Sequence, residues 1–388
     1  LADFKGKKIA FVSTIDTSFI ILFYNQLTNL RKQGFELSAI STLEFPENIE
    51  FFKKIGVEFI EVPIKRKISP FADLLTVARL YRVFKRKQFD LIHTQLPKTT
   101  LLGAIAAKLA RIPVVNTARP IFREMPPSPG RRFFILMEKI AAALTDLVMV
   151  ENPLDYELYL SLDIVKEKKL FIQGNGVDLS RFDPGKISAQ ERDRLRAELG
   201  IPKSAKVIGS SGRYVYEKGF AELFAAFKEL SKKYPELFLL TAGFYFPSEA
   251  GTIPKDLPRQ MGIADRTLML ENRKDMEKIF SLMDIFVFPT HRDCFPRSLI
   301  EAAAMEKPIV ASDLKGCQVV VENEKTGLLV PPKDSKLLAG AIERLLKDPS
   351  FAQNLGQSAR RFALQNLDEQ KVCERIVACY QRVLESAK

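Results

Sequence analysis

Short apolar or β-branched runs alternate with stretches whose apolar residues recur at helical spacing, and the alternation persists along most of the chain. That pattern predicts βαβ units and parallel sheets, because a strand whose crossover returns through a helix is covered on both faces. In the first half, strands are expected at 8–13, 36–41, 58–61, 91–93, 114–117, 147–150 and 170–172. Helices are expected between them at 19–33, 70–87, 99–110, 132–143 and 153–162. Gly174-Asn175-Gly176-Val177-Asp178 then interrupts the pattern and reads as a hinge, glycine being free to adopt backbone angles that other residues avoid. Strands resume at 206–211, 237–242, 268–270, 285–288, 308–312 and 327–330, with helices between. The reading is an α/β chain of two doubly wound halves, 1–175 and 176–367, facing a cleft at the carboxyl ends of both sheets. The closing helical stretch 368–388 has no sheet left to cover in the second half and is expected to pack back across the first.

Length and composition fit that picture: 388 residues suffice for two cores, and 46% hydrophobic with 27% charged residues is ordinary for a globular protein. No apolar run approaches the roughly 18 residues a membrane-crossing helix needs. Nothing reads as a signal peptide, although targeting stays open because the first residue is Leu1. The four cysteines, Cys294, Cys317, Cys373 and Cys379, show neither paired metal-type spacing nor a disulfide framework, so a reducing cytoplasm is expected.

The net charge of +12 is unevenly spread, since residues 51–150 hold 18 Lys and Arg against 7 Asp and Glu. Within this region Leu74, Val77, Ala78, Tyr81 and Phe84 form one helical stripe, with Arg79, Arg82 and Arg86 opposite. This is either a core helix with a solvated basic face or one suited to an anionic membrane surface. Nucleic acid is not an expected partner, because no base-stacking aromatic motif is interleaved with the basic positions.

The most informative chemistry lies in Asp293-Cys294-Phe295-Pro296-Arg297-Ser298-Leu299-Ile300-Glu301. Pro289 closes the apolar strand 285–288, and Pro296 sits where a helix beginning near Arg297 takes its first turn. A helix start offers unpaired amides and about half a positive charge, a setting that suits a diphosphate. Glu301, one turn further on, is placed to accept from two vicinal hydroxyls of a ribose, and Asp293 from hydroxyls of a hexose. Alone, the two carboxylates also read as a helix N-terminal charge and a turn former. The loop Gly212-Arg213-Tyr214-Val215-Tyr216-Glu217-Lys218-Gly219 adds two cations at the same sheet edge. Arg213 and Lys218 would neutralise a diphosphate and the charge that grows on it as it leaves. The glycine spacing and the Lys-Ser/Thr pair of a Walker loop are missing.

These segments, followed by Gly327-Leu328-Leu329-Val330-Pro331-Pro332, resemble the donor half of the retaining GT-B glycosyltransferases of family 4. The hinge, His93-Thr94-Gln95-Leu96-Pro97-Lys98 and Leu101-Leu102-Gly103 are similar to that family too, so the resemblance spans essentially the whole chain. It implies the GT-B fold, two Rossmann-like domains, with 1–175 on the acceptor side and 176–367 binding the donor. The implied reaction moves a hexose from a nucleotide sugar, uridine being the family default, to a saccharide or lipid-linked acceptor with retention at the anomeric carbon. It needs no cofactor and no metal beyond the donor itself. By position, Arg213 and Lys218 would hold the diphosphate with Gly212 beside them, Glu301 the ribose and Asp293 the donor sugar. Peptide groups of Cys294, Phe295 and Pro296 would line sugar and phosphate, and 270–273, including Arg273, would border the base.

Departures from the family pattern mark where specificity or activity can change. The family has Glu then Gly where this chain has Asp293 and Cys294, which shortens the carboxylate and adds bulk near the sugar. After the fifth strand the family's His gives way to Arg119, which is protonated at any relevant pH and so binds rather than acts as a base. A front-face mechanism tolerates this loss, because the leaving phosphate takes the acceptor proton. Thr14-Ile15-Asp16-Thr17-Ser18 replaces a paired-glycine loop and makes Asp16 a donor-site candidate. His93 is either an acceptor contact or a satisfied structural histidine, His291 a loop residue beside the donor sugar, and Cys317 a packing residue. The alternative function is a nucleotide-sugar-binding GT-B protein with reduced or lost transferase activity. The expected setting is cell-envelope saccharide synthesis in the cytoplasm, peripheral on the inner face of the membrane.

Overall fold

In a computed structural model, residues 5–247 and 251–386 are described, so the ends of the expected segments 1–175 and 368–388 lie outside the described residues. The chain divides into two compact units, Leu1–Asn175 with Glu369–Lys388, and Gly176–Asp368. The first holds β1 (Lys8–Ile15), β2 (Glu36–Thr42), β3 (Glu58–Glu61), β4 (Leu91–Gln95), β5 (Val114–Ala118), β6 (Leu147–Val150) and β7 (Leu170–Ile172). They form one sheet in the order β3-β2-β1-β4-β5-β6-β7, every pairing parallel. Its helices are α1 (Thr17–Ile21), α2 (Tyr24–Lys32), α3 (Asn48–Lys54), α4 (Pro70–Lys87), α5 (Pro97–Ala110), α6 (Pro129–Leu144) and α7 (Pro153–Ser161). Successive strand residues feed opposite faces: Ile9, Phe11, Leu91 and Val115 enter one core, and Ala10, Val12, Ile92 and Val114 the other.

Three expectations in this unit need correction. The helix expected at 19–33 is broken at Leu22–Phe23, a turn that lets Phe19 and Phe23 bury in one core with ring centres 6.1 Å apart. Strand β4 runs on to Gln95 with all five residues buried, its polar end having hidden it from an apolar reading. On α4 the buried residues are Thr76, Val77, Leu80 and Phe84, whereas Leu74 is exposed. Asp73 takes the inward place near the helix start, because its carboxylate pairs with Lys98 Nζ at 2.6 Å and accepts from Ser69 N at 3.0 Å.

The second unit holds β8 (Lys206–Ser211), β9 (Leu237–Gly243), β10 (Thr267–Glu271), β11 (Ile285–Phe288), β12 (Ile309–Ser312) and β13 (Leu328–Val330). Their order is β10-β9-β8-β11-β12-β13, again parallel throughout. Its helices are α8 (Ala189–Glu198), α9 (Phe220–Lys233), α10 (Leu257–Gln260), α11 (Met276–Ser281), α12 (Arg297–Ala304), α13 (Lys315–Gln318), α14 (Ser335–Lys347) and α15 (Pro349–Asn366). In both sheets the strand order reverses beside the first strand, between β1 and β4 and between β8 and β11, the place where open α/β sheets bind ligands.

The last helix, α16 (Glu369–Ser386), returns to the first unit. Its stripe of Cys373, Ile376, Val377, Tyr380 and Val383 buries in the core that holds Phe11 and Phe35. Where the chain leaves the first sheet, Gly174 has φ +83°, and a Cβ there would lie 2.6 Å from Arg375 Nη2. Among the described residues no helix is long and apolar enough to cross a membrane.

Candidate active site

The loop after β8 is shaped by close backbone crossings. Gly219 adopts φ +74°, and a Cβ there would sit 1.9 Å from the Pro289 carbonyl oxygen at the end of β11. Only glycine permits both. Tyr214 is buried and donates its O–H to the Leu270 carbonyl at 3.0 Å, which pins the loop to the sheet beside the half-buried Arg213. Burial pushes the Tyr214 phenol upward, so it stays protonated.

The loop after β11 is tied to this one through Glu217. Its carbonyl accepts from His291 N at 2.8 Å and Thr290 Oγ1 at 3.2 Å, and its carboxylate accepts from Arg292 Nη2 at 3.1 Å. The crossing brings Lys218 Nζ to 2.7 Å from Asp293 Oδ2, both side chains being largely buried, with the ammonium 5.7 Å from the Phe288 ring centre. His291 is drawn aside, Nε2 lying 2.9 Å from Glu222 Oε1.

The peptide of Asp293 and Cys294 rests against α13. A Cβ on Gly316 would meet the Asp293 oxygen at 2.1 Å and the Cys294 oxygen at 2.8 Å. Cys317 beside it is a buried thiol. Cys294 is partly exposed, Phe295 and Pro296 are buried, and α12 starts at Arg297 with Pro296, which offers no side-chain cap, at its N-cap. One turn in, the largely buried Glu301 takes Arg297 Nε at 3.3 Å. Burial raises its carboxyl above the usual range, and Arg297 and Arg181 draw it back. Arg273, in the loop after β10, is held by Asp275 through Nε at 2.8 Å and Nη2 at 2.6 Å.

Gly212, Arg213, Lys218, Asp293, Cys294, Phe295, Pro296 and Glu301 thus gather around the carboxyl ends of β8 and β11 and the start of α12. Two of the residues read from the sequence, Asp16 and His93, are hydrogen-bonded within the first unit. Asp16 is buried, and its carboxylate accepts from Glu44 N and Phe45 N, each at 3.2 Å, and from Asn48 Nδ2 at 2.9 Å. It pins the connection after β2, with both carboxylate oxygens engaged. His93 is wholly buried, Nδ1 lying 2.6 Å from the Tyr380 hydroxyl and Nε2 2.8 Å from Thr117 Oγ1. Both ring nitrogens are used inside the core, the arrangement expected of a structural histidine. Burial, with Arg119 adding repulsion, lowers its pKa to about 3.

Arg119 follows β5 and donates to Glu151 Oε1 through Nε at 3.1 Å and Nη2 at 2.6 Å, its guanidinium carbon 4.9 Å from the Phe23 ring centre. Glu151 escaped the sequence reading, and Glu217 was read only as part of its loop; the one signal for Glu151 was its position just beyond β6. Among the described residues no group of three or more His, Cys, Asp or Glu side chains is arranged to hold a metal ion.

Comparison with known proteins accords with this arrangement. Residues 22–181 match the family profile "Glycosyltransferase Family 4", and residues 191–362 match "Glycosyl transferases group 1". The capsular polysaccharide biosynthesis glycosyltransferase CapM of Staphylococcus aureus is 28% identical over 99% of each chain. An Escherichia coli UDP-Gal:alpha-D-GlcNAc-diphosphoundecaprenol alpha-1,3-galactosyltransferase is 28% identical over 73% of each. A glycosyltransferase of Rickettsia africae, known from its crystal structure, shares the fold with a TM-score of 0.81, covering 98% of this chain and 99% of that one at 19% identity. The two-sheet architecture expected from the sequence is therefore the GT-B fold, and the chain belongs to the family 4, group 1 glycosyltransferases, retaining enzymes that take their sugar from a nucleotide sugar.

Proposed function

We propose that this glycosyltransferase takes a hexose from a UDP-sugar and adds it to a lipid-linked saccharide, with the second unit binding the donor and the first the acceptor. The Lys218–Asp293 pair, 2.7 Å long at the edge shared by β8 and β11, carries the reading. In it a cation suited to a diphosphate and a carboxylate suited to a sugar stand next to the start of α12. Arg213 and Lys218 hold the diphosphate, Glu301 the ribose hydroxyls, Asp293 the hexose hydroxyls, and the peptides of Cys294 to Pro296 line the sugar. Gly212 lets the loop approach, and Arg273 borders the base. UDP and the diphosphoundecaprenol-linked acceptor are supported by the Escherichia coli relative, whose name specifies both.

In the transfer step the bond from the anomeric carbon to the diphosphate oxygen breaks and a bond to the acceptor hydroxyl oxygen forms on the same face. The acceptor proton passes to the departing diphosphate, whose charge Arg213 and Lys218 stabilise. An anionic membrane surface at the inner face of the cell membrane is the setting that a lipid-linked acceptor and the basic residues 51–150 support.

Calorimetric titration of UDP tests the donor site. Arg213→Ala and Lys218→Ala are expected to weaken UDP far more than Glu301→Ala weakens the complete UDP-sugar. Affinity unchanged in both cation variants would overturn the assignment.

A further inference from the structure

We propose that the start of α4, with the loop before it, is a docking surface for an anionic lipid bilayer. Four apolar side chains there face solvent: Ile68 at 65% exposure, Phe71 at 88%, Leu74 at 70% and Leu75 at 57%. A soluble fold has no internal use for so dense an apolar group pointing outward. Lys65, Arg66 and Lys67 precede it and are also exposed. Exposed Arg79, Arg82, Lys85 and Arg86 follow along the same helix. From Lys65 to Lys87 there are eight Lys and Arg against the single Asp73, which is occupied by Lys98.

The surface is held in shape. Lys98 Nζ, at the start of α5, donates to the Lys65 carbonyl at 2.7 Å and the Lys67 carbonyl at 2.6 Å while pairing with Asp73. One largely buried ammonium therefore fixes the loop backbone and the first turn of α4, leaving Lys65, Lys67 and Phe71 exposed, while Arg66 pairs with Glu44 at 2.8 Å. Helix α5 packs between α4 and α6, and α6 carries a second outward apolar stripe of Phe133, Leu136 and Ile140 with Arg132 exposed beside it.

Apolar side chains rimmed by cations suit the boundary of an anionic bilayer, where rings and branched chains enter the acyl edge and Lys and Arg meet phosphate. A second copy of the chain suits it poorly, because identical basic rims repel. The surface rests on the reading that the acceptor is lipid-linked, but it shares no residue with the proposed donor site and can fail alone.

Flotation of the full chain with vesicles of phosphatidylcholine, or of phosphatidylcholine and phosphatidylglycerol in equal amounts, tests it. The parent is expected to float with the anionic vesicles only, and less as salt rises. Phe71→Ser with Leu74→Ser and Leu75→Ser is expected to cut partitioning by more than about tenfold at an unchanged melting temperature. Should the triple variant melt early, Phe71→Ser alone keeps the comparison usable. Equal flotation with both vesicle types, no flotation of the parent, or a triple variant that floats like the parent overturns the surface. So does a parent that forms dimers the triple variant loses, with neither floating. Transfer to a detergent-dispersed lipid-linked acceptor separates the two readings. If it persists while flotation fails, the surface is wrong and the enzymatic reading stands; if the parent transfers nothing, that reading is at fault.

Discussion

Two ion pairs occupy equivalent places in the two sheets and differ in their surroundings. Arg119 and Glu151 meet at the carboxyl ends of the adjacent strands β5 and β6, and Lys218 and Asp293 meet just beyond the adjacent strands β8 and β11. The first pair lies against Phe23, and its guanidinium keeps Nη1 buried without a hydrogen-bond partner while Nε and Nη2 hold Glu151. The second stands beside the start of α12, the half-buried Arg213 and the partly exposed Cys294. On the proposed reading, the second pair meets the donor and the first braces its sheet edge.

The contrast breaks most directly on the nucleotide. Lys218→Ala is expected to weaken UDP by roughly tenfold to a hundredfold in calorimetric titration, the range for a lost charge-assisted contact. Arg119→Ala should leave UDP affinity nearly unchanged. Comparable losses in the two variants would erase the distinction. The reverse asymmetry is expected in stability: Arg119→Ala strands the buried Glu151 and should cost about 3 kcal/mol in denaturant unfolding, the usual scale for an orphaned partner of a buried pair. A smaller loss, about 1–3 kcal/mol, is expected for Asp16→Ala, which leaves the Glu44 and Phe45 amides without their acceptor. UDP titration of that variant should match the parent, and weakened binding would place Asp16 in the donor site.

The fold was legible because parallel strands are covered on both faces and so read as apolar runs, with boundaries at 58–61, 147–150 and 285–288 recovered to the residue. The cluster from Gly212 to Glu301 was legible because glycine, proline and paired charges leave local marks. Asp16 and His93 were not, since only the tertiary partners Asn48 and Tyr380 reveal that their polar atoms are already engaged. The exposed start of α4 was missed for a related reason. Helical spacing places Leu74 inward, and it is the Lys98–Asp73 pair, distant in sequence, that takes the inward place instead.

A further effect lies in the pH dependence of stability. His93 has a pKa of about 3 in the folded chain against an ordinary 6.5, so between those values the unfolded chain binds a proton that the folded one refuses. Folding is then opposed increasingly as pH falls below 6.5, and the full contribution of the neutral ring is present only above it. Glu138 acts in the opposite sense, because burial lifts its carboxyl to about 7, so the folded chain holds a proton that the unfolded one has lost and is favoured as pH falls toward 4.5. Melting temperatures measured across the acid range should therefore fall less steeply for His93→Gln than for the parent, and more steeply for Glu138→Gln. The difference in slope for each is bounded by about one proton. Parallel curves for His93→Gln and parent would mean that the ring is protonated in the folded chain. His93 would then be a charge beside Arg119, and the first unit's edge would have to be as open to ligands as the second's.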